Sequence, residues 1–289
     1  NVVLAGRCSD PAVFAALPIK RGYNPGPAWH AGKIVECGAL CAKPSSVADC
    51  MLAKLENGYF TVEPPNQDRV CTPLSVAAHA LYEQANPYLI KESEGTLDLS
   101  KCRYEAYGER AVKVSGSKFI PARKPTVKLE GVTLAGYRTI CIAGIRDPQA
   151  IKQLKEILEG VRSHVAETFR GWLSSSDYYH LNFRIYGLNA VEGEIEPVKR
   201  PSHELGIIID VVASSQELAN SICALARSTM LHYDYEGRKA TGGNLAFPYS
   251  PSDIPMGPTY QFNVYHKVEV EGAAELLEMF KIEVLEVGV

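Results

Sequence analysis

From Tyr137 onward the apolar pattern alternates between strand and helix periods, and that succession constrains the fold more than any other feature of the chain. Tyr137 to Ile145 (YRTICIAGI) is rich in β-branched residues and reads as a strand. Asp147 then offers an N-cap, and Pro148 fits the first helical position. Ile151, Leu154, Ile157, Leu158, Val161, Val165 and Phe169 recur at helical spacing until Gly171 stops the run. Leu181 to Leu188 (LNFRIYGL) alternates as a half-buried strand does, and a Glu- and Pro-rich connection leads to about Ser202. Leu205 to Ala213 (LGIIIDVVA) reads as another strand. Ser214 with Glu217 forms a capping box for a helix striped by Leu218, Ile222, Leu225 and Ala226. Tyr260 to Val270 (YQFNVYHKVEV) alternates again. The order is β-α-β-β-α-β, the split or ferredoxin-like arrangement, expected over residues 136–270 as an antiparallel sheet with both helices on one face. The connection from Leu231 to Thr259 is too long for a plain link and is expected to be a functional loop or lid.

Residues 1–125 are less regular and read as an α/β region. Asn1-Val2-Val3-Leu4-Ala5 has the look of a buried strand already under way. Such a start is expected in the C-terminal part of a longer polypeptide, whose upstream segment would complete a sheet around Val2 to Ala5. Gly6 to Pro11 turns the chain into a helix over about Ala12 to Leu17. Trp29 to Ala42, Ser46 to Glu56 and Pro73 to Gln84 read as further helices, and Tyr59 to Val62 as a short strand. RYEAY and AVKVS, joined by Gly-Glu-Arg, read as a hairpin between Cys102 and Ser115. The basic, Pro-broken stretch Ser117 to Thr126 marks the boundary between the halves. Residues 271–289 form a C-terminal tail, and Ala273 to Val289 is apolar enough to dock on a partner. The expected fold class is therefore α/β, with an α+β second half.

Composition narrows the function classes. The 289 residues correspond to about two domains at ~150 residues each. A formal net charge of -3 leaves no electrostatic footprint for nucleic acid. No apolar run approaches the ~20 residues that span a bilayer. Eight cysteines in a chain of this length read as reduced thiols, which points to the cytoplasm. Cys37 and Cys41 stand four apart, but no second close pair completes a metal-ligand set, so no metal is expected.

Four stretches carry candidate chemistry. In Gly6-Arg7-Cys8-Ser9-Asp10 the glycine lets a ligand approach the backbone, and Arg7 offers a planar donor fork to a carboxylate or phosphate. The alternative is an ordinary turn with Asp10 as N-cap. Glu36-Cys37-Gly38 places an acid and a thiol in an apolar helix. Glu36 there is a candidate acid–base group, with Asp10 second, and Cys37 a candidate nucleophile. The alternative pairs Glu36 with a nearby cation. His30, six residues earlier, reads as a structural histidine. Asn66 and Arg69, in a turn stiffened by Pro64 and Pro65, are candidate substrate contacts or parts of a surface connector. Arg238, Lys239, Thr241 and Asn244 surround Gly242-Gly243, where backbone amides could form an anion-binding nest. The alternative is a glycine-rich turn with solvated cations. We expect the Arg7 turn and the Thr241 segment to grip one anionic small molecule together.

The segments GRCSDPAVFAALPIKRGY, KIVECGALCA, NGYFTVEPPNQDRVCTPLSVAAHALYEQANPYLI, VSGSKFIPARKPTVKLEGVTLAGYR and DVVASSQELANSICALARSTMLHYDYEGRKATGGNLAFPYSPSDI resemble the acyclic terpene utilisation (AtuA) family. The resemblance spans nearly the whole chain. It implies a role in catabolism of acyclic terpenes such as citronellol and geraniol, with a hydratase-like reaction on acyl-CoA or branched unsaturated acids. It also implies an upstream region, because the glycine-arginine turn lies well inside the family's polypeptide. No catalytic residue carries over, so the site residues rest on their own chemistry. The cysteine richness (Cys8, Cys41, Cys50, Cys71) is a departure.

The expectation is a lyase of hydratase/dehydratase type, with no cofactor beyond CoA as part of the substrate, and a homo-oligomer or partner subunit in the assembly. Arg7 and the Arg238/Lys239 loop would clamp the anion, Glu36 would move the proton, and Asn66 or Asn244 would hydrogen-bond the enolate oxygen. The competing readings are a non-catalytic subunit or scaffold, and a hydrolase using Cys37.

Overall fold

A computed structural model describes residues 2–81, 84–286 and 288. The chain divides into two units, residues 1–129 with 266–289, and residues 130–265. The first carries α1 (Asp10–Lys20), α2 (Pro25–Val35), β1 (Ala42–Lys43), β2 (Leu52–Glu56), β3 (Tyr59–Glu63), β4 (Val70–Cys71), α3 (Pro73–Leu81), β5 (Leu89–Glu92), β6 (Gly95–Asp98), β7 (Arg103–Tyr107), β8 (Ala111–Ser115) and β9 (Lys118–Pro121). The boundary then falls inside the long β10 (Thr126–Ile145). The second unit continues with α4 (Pro148–Lys152), α5 (Leu154–Phe169), β11 (Tyr179–Tyr186), β12 (Leu205–Ala213), α6 (Gln216–His232) and most of β13 (Asp253–Glu269). The short α7 (Ala273–Met279) belongs to the first unit. The fold class is mixed α/β, with four antiparallel sheets among the described residues.

α2 is the pivot of the first unit. Asn24 caps it by accepting from the Gly26 amide at 3.0 Å, and Pro25 fixes the first helical φ. Nine of its eleven residues are buried, so it is a helix enclosed nearly all round. Its C-terminal half packs with Phe60, Val62, Val112 and Val114 from the β2-β3-β8-β7 sheet. Its N-terminal half, with Ala28 and Trp29, joins Ala15, Ile90, Leu97 and Leu99 around the β5-β6-β9 sheet. A Cβ on Gly32 would stand 2.5 Å from the Pro11 carbonyl oxygen, so the absent side chain is what lets α1 lie against α2. Gly32→Ala is therefore expected to lower stability by ~1–3 kcal/mol, read as a fall in the denaturant midpoint at unchanged m-value.

In the second unit the strands lie in the order β11-β12-β10-β13. The register pairs Ile145 with Leu205 and Tyr137 with Ala213, and alternate residues of β10, β11 and β12 enter one core. Ile157, Val161 and Val165 of α5 and Ala219, Ile222 and Ala226 of α6 close that core. Asp147 caps α4 through the Gln149 amide at 3.2 Å, as its position before Pro148 suggests.

Several elements differ from their sequence reading. Ser46 to Glu56 is not a helix; residues 52–56 form β2, paired with β3 from Leu52↔Glu63 to Glu56↔Tyr59. The cause is Asn57-Gly58 with Gly58 at φ +86°, a two-residue hairpin signal stronger than the apolar spacing before it. The helix read over Trp29 to Ala42 runs instead over Pro25–Val35, because Gly38 at φ +61° turns the chain. Val2, Val3 and Leu4 are exposed and lie in no strand: β-branched residues favour a strand only where a neighbouring edge receives them, and none does so among the described residues. The cap of α6 is Ser215, whose hydroxyl accepts from Leu218, while Ser214 donates to Asp177. The helix read to Gln84 is described to Leu81, and Tyr82 and Glu83 lie outside the described residues, as do Asn1, Val287 and Val289. β5, β6 and β9 had no reading at all. The hairpin of β7 and β8 and the strand β12 lie where their patterns put them.

Candidate acid–base site

Charge is scarce in α2, and where it occurs it is clustered. Lys33 and Glu36, one turn apart, form an ion pair with side chains only 17% and 6% exposed. Glu36 occupies the C-cap position, its amide donating to the Gly32 carbonyl. Glu92, at the end of β5, joins this pair. Burial raises its carboxyl above the ordinary carboxylate range, and the Glu36 charge adds to that rise. A hydrogen bond donated by the Ser9 hydroxyl at 3.2 Å and the Lys33 charge partly offset it. His79 of α3 closes the group. Burial holds its imidazole below the ordinary value, with Lys33 adding to the effect. The result is two carboxylates, one of them with its proton affinity raised by burial, beside one ammonium group and next to the turn that carries Arg7. A carboxyl that burial inclines to hold its proton, next to one paired with a cation, is a usual basis for dividing acid and base work.

The remaining sequence candidates fall in four places. Arg7 and Asp10 are exposed, Asp10 in the first turn of α1 behind Ser9, which takes the N-cap position expected of Asp10. Cys37 is half-buried in the turn after α2. There Gly38 approaches so closely that a Cβ would stand 2.5 Å from the Asp49 carbonyl oxygen.

Asn66 and Arg69 both bind Asp49, the amide and the guanidinium each reaching Oδ2 at 2.8 Å. These bonds hold the Asp49 carboxyl below the ordinary range. Arg110 ties the same turn from the other side, to Gln67 Oε1 at 2.6 Å and the Asn66 carbonyl at 2.9 Å. The side chains of Asn66, Gln67 and Arg69 are thus engaged within the chain.

In the second unit, Arg238 donates to the His232 and Tyr233 carbonyls at 2.6 and 3.1 Å. Asn244 donates to the Met230 and Tyr233 carbonyls at 3.1 and 3.0 Å. Both satisfy acceptors left open at the C-terminal end of α6, an end that attracts cations rather than anions. Lys239 and Thr241 remain on the exposed surface of the loop. Asn244→Ala is expected to cost ~0.5–1.5 kcal/mol, measured by thermal unfolding, because it removes one of the two donors to each of these carbonyls, leaving Met230 only the Tyr233 amide and Tyr233 only Arg238.

His30 is fully buried, its Nδ1 at 2.7 Å from the Ser117 hydroxyl and its ring edge-on to Phe60 and Tyr104. Burial pushes its pKa down to about 3, which makes it the neutral structural histidine expected of it. Among the described residues no group of three or more His, Cys, Asp or Glu side chains could hold a metal ion. No described helix is long and apolar enough to cross a membrane.

Sequence reasoning reached Glu36 but not Lys33, Glu92 or His79. Lys33 could have been found, as a cation three residues before an acid in an otherwise apolar helix. Glu92 and His79 carry no such mark, because only the packing of β5 and α3 against α2 brings them in.

The fold and this cluster define a mixed α/β protein with a paired-carboxylate candidate site. Residues 1–245 match the family described as "Acyclic terpene utilisation family protein AtuA", and the chain belongs to that family. No match was found among the curated proteins or the solved structures. Membership fits a role in catabolism of acyclic terpenes broadly.

Proposed function

We propose that this protein is a lyase of hydratase/dehydratase type acting on a branched unsaturated acid or its CoA thioester in terpenoid catabolism. The observation that carries the reading is the half-buried Glu36–Lys33–Glu92 cluster, in a chain of the AtuA family. Water adds to an α,β-unsaturated acyl group when a base takes a proton from water at the β-carbon and an acid delivers one to the α-carbon. Glu36, the carboxylate partner of Lys33, suits the base. Glu92, whose carboxyl burial raises above the ordinary range, suits the acid. Arg7, from the same turn as Ser9, is our choice for an anion clamp, with Asp10 beside it as the second candidate acid–base group. Lys239 and Thr241 are the exposed members of the second cluster, whereas Arg238, Asn244, Asn66 and Arg69 would have to exchange internal bonds to take any ligand. The assay is hydration of a branched enoyl-CoA, in which Glu92→Gln should lose activity together with Glu36→Gln; full activity in either variant removes that residue from the mechanism.

The element order of residues 126–269 supports the ferredoxin-like reading of the second half, and eight cysteines, four of them buried as small core residues, suit a cytoplasmic location. Of the thiols, Cys8 and Cys50 are exposed and Cys41, Cys71, Cys141 and Cys223 buried. A thiol reagent should therefore label Cys8 and Cys50 first and leave activity intact, whereas loss of activity in step with Cys37 labelling would favour the hydrolase reading.

A second reading, as an assembling subunit, is favoured by the exposed Met256, Tyr260, Phe262 and Tyr265 on β13. Homo-oligomers commonly bury such faces. If β13 is an interface, Phe262→Asp shifts the mass measured by light scattering to that of a smaller species, and an unchanged mass removes β13 from the assembly.

A further inference from the structure

A cavity of about 400 Å³ lies in the first unit, walled by Ile19, Trp29, Phe119, Pro121 and Leu276, with the exposed Glu94 as its one charged lining residue. Trp29 is 3% exposed, and its ring stacks on Phe119 with centroids 5.5 Å apart. Its indole N–H has no acceptor, in a protein whose other buried donors are largely matched. A buried donor left unmatched costs ~1–3 kcal/mol, and a ligand carrying an acceptor recovers part of that. The volume lies at the small end of the ~300–1,000 Å³ typical of ligand pockets, enough for one small molecule and too little for a whole CoA thioester. An anion placed here would meet apolar walls and a carboxylate, with no cation to pair it.

We propose that this cavity binds a neutral, branched aliphatic molecule with one hydrogen-bond acceptor, a hydroxyl or carbonyl oxygen, that takes the Trp29 N–H. The proposal rests on the hydratase reading and deepens it in the thioester form, by giving the aliphatic tail and neutral carbonyl of the acyl group a seat that the free acid would fill poorly. Trp29 stands one turn before Lys33 on α2, ~6 Å along the helix axis. A chain held here therefore lies within a small ligand's reach of the two carboxylates.

The chain has two tryptophans, and Trp172 is 84% exposed, so Trp172→Phe leaves Trp29 as the only indole reporter. In that background, titration with geraniol should give a saturable change in Trp29 emission. Geranate, the matching carboxylate, should bind at least about tenfold more weakly, since burying an unpaired charge is costly. Ala273→Phe, at an exposed position of the cavity wall, should weaken geraniol by a similar factor without unfolding the protein. No saturable change with geraniol, equal affinity for geranate, or indifference to Ala273→Phe would each overturn the proposal. Saturable geraniol binding together with undiminished hydration in Glu36→Gln would keep the cavity and remove the acid–base assignment. Absent binding with hydration lost in Glu36→Gln would do the reverse.

Discussion

Glu36→Gln is expected to lower kcat/KM for hydration of a branched enoyl-CoA by ~10²–10⁴-fold while the protein stays folded. The substitution keeps the size of the side chain and removes only its ability to accept and hold a proton. Stability should change little, because the Lys33–Glu36 pair exchanges one ion pair for a hydrogen bond and Lys33, 17% exposed, retains access to water. The same change should act on Glu92. Its raised proton affinity owes part of its rise to the Glu36 charge, so removing that charge should let Glu92 ionise more easily. A shift of the acid limb of the pH–rate profile in any residual activity would report this coupling, and a merely structural role for Glu36 would not produce it.

The second large effect is on stability against pH. His30 titrates at about 3 in the folded chain and near 6.5 when unfolded, so the unfolded chain binds one more proton between these values. Its contribution is fully present above pH 6.5 and is lost as pH falls through that window, reaching about 5 kcal/mol at its lower end. His79, also held below its ordinary value by burial, acts in the same direction. Glu92 acts in the opposite direction: its raised folded pKa favours the folded state at low pH and loses that benefit as pH rises. The carboxyls of Asp49, Asp98, Asp147 and Asp177 are all held low by hydrogen bonds, and their contributions are lost only at more acid pH, from the ordinary carboxylate range downward. Denaturant unfolding between pH 7 and 5 should therefore show stability falling with acid. His30→Gln, which can still reach the Ser117 hydroxyl, should flatten that slope by about one proton. An unchanged slope would mean that His30 is not the buried neutral group described above.

What was legible in the sequence follows from where the information lies. α5 and β12 could be read because one face of each enters a single core, and the period of that face is written in Leu154 to Val165 and Leu205 to Ala213. β2 was misread because Met51, Leu52 and Leu55 mimic helical spacing, and only the Asn57-Gly58 turn distinguishes the two outcomes. β5 and β6 escaped because each has four residues, too few for a period to show. The candidate site was half legible for the same reason. Glu36 announces itself as an acid in an apolar helix, whereas Glu92 is an ordinary polar residue until β5 places it beside that helix. The loop of Arg238 to Asn244 shows what a linear pattern leaves out. Cations beside glycines suggest an anion nest, and Arg238 and Asn244 in addition donate to carbonyls at the end of α6, whose positions no spacing reveals.

The most direct measurement is solvent exchange. Incubated in deuterated water with a branched enoyl-CoA, the protein should place deuterium on the α-carbon of the hydrated product, and folded Glu36→Gln and Glu92→Gln variants should leave that position unlabelled. Deuterium entering at the same rate in both variants would contradict the assignment of proton transfer to this carboxylate pair.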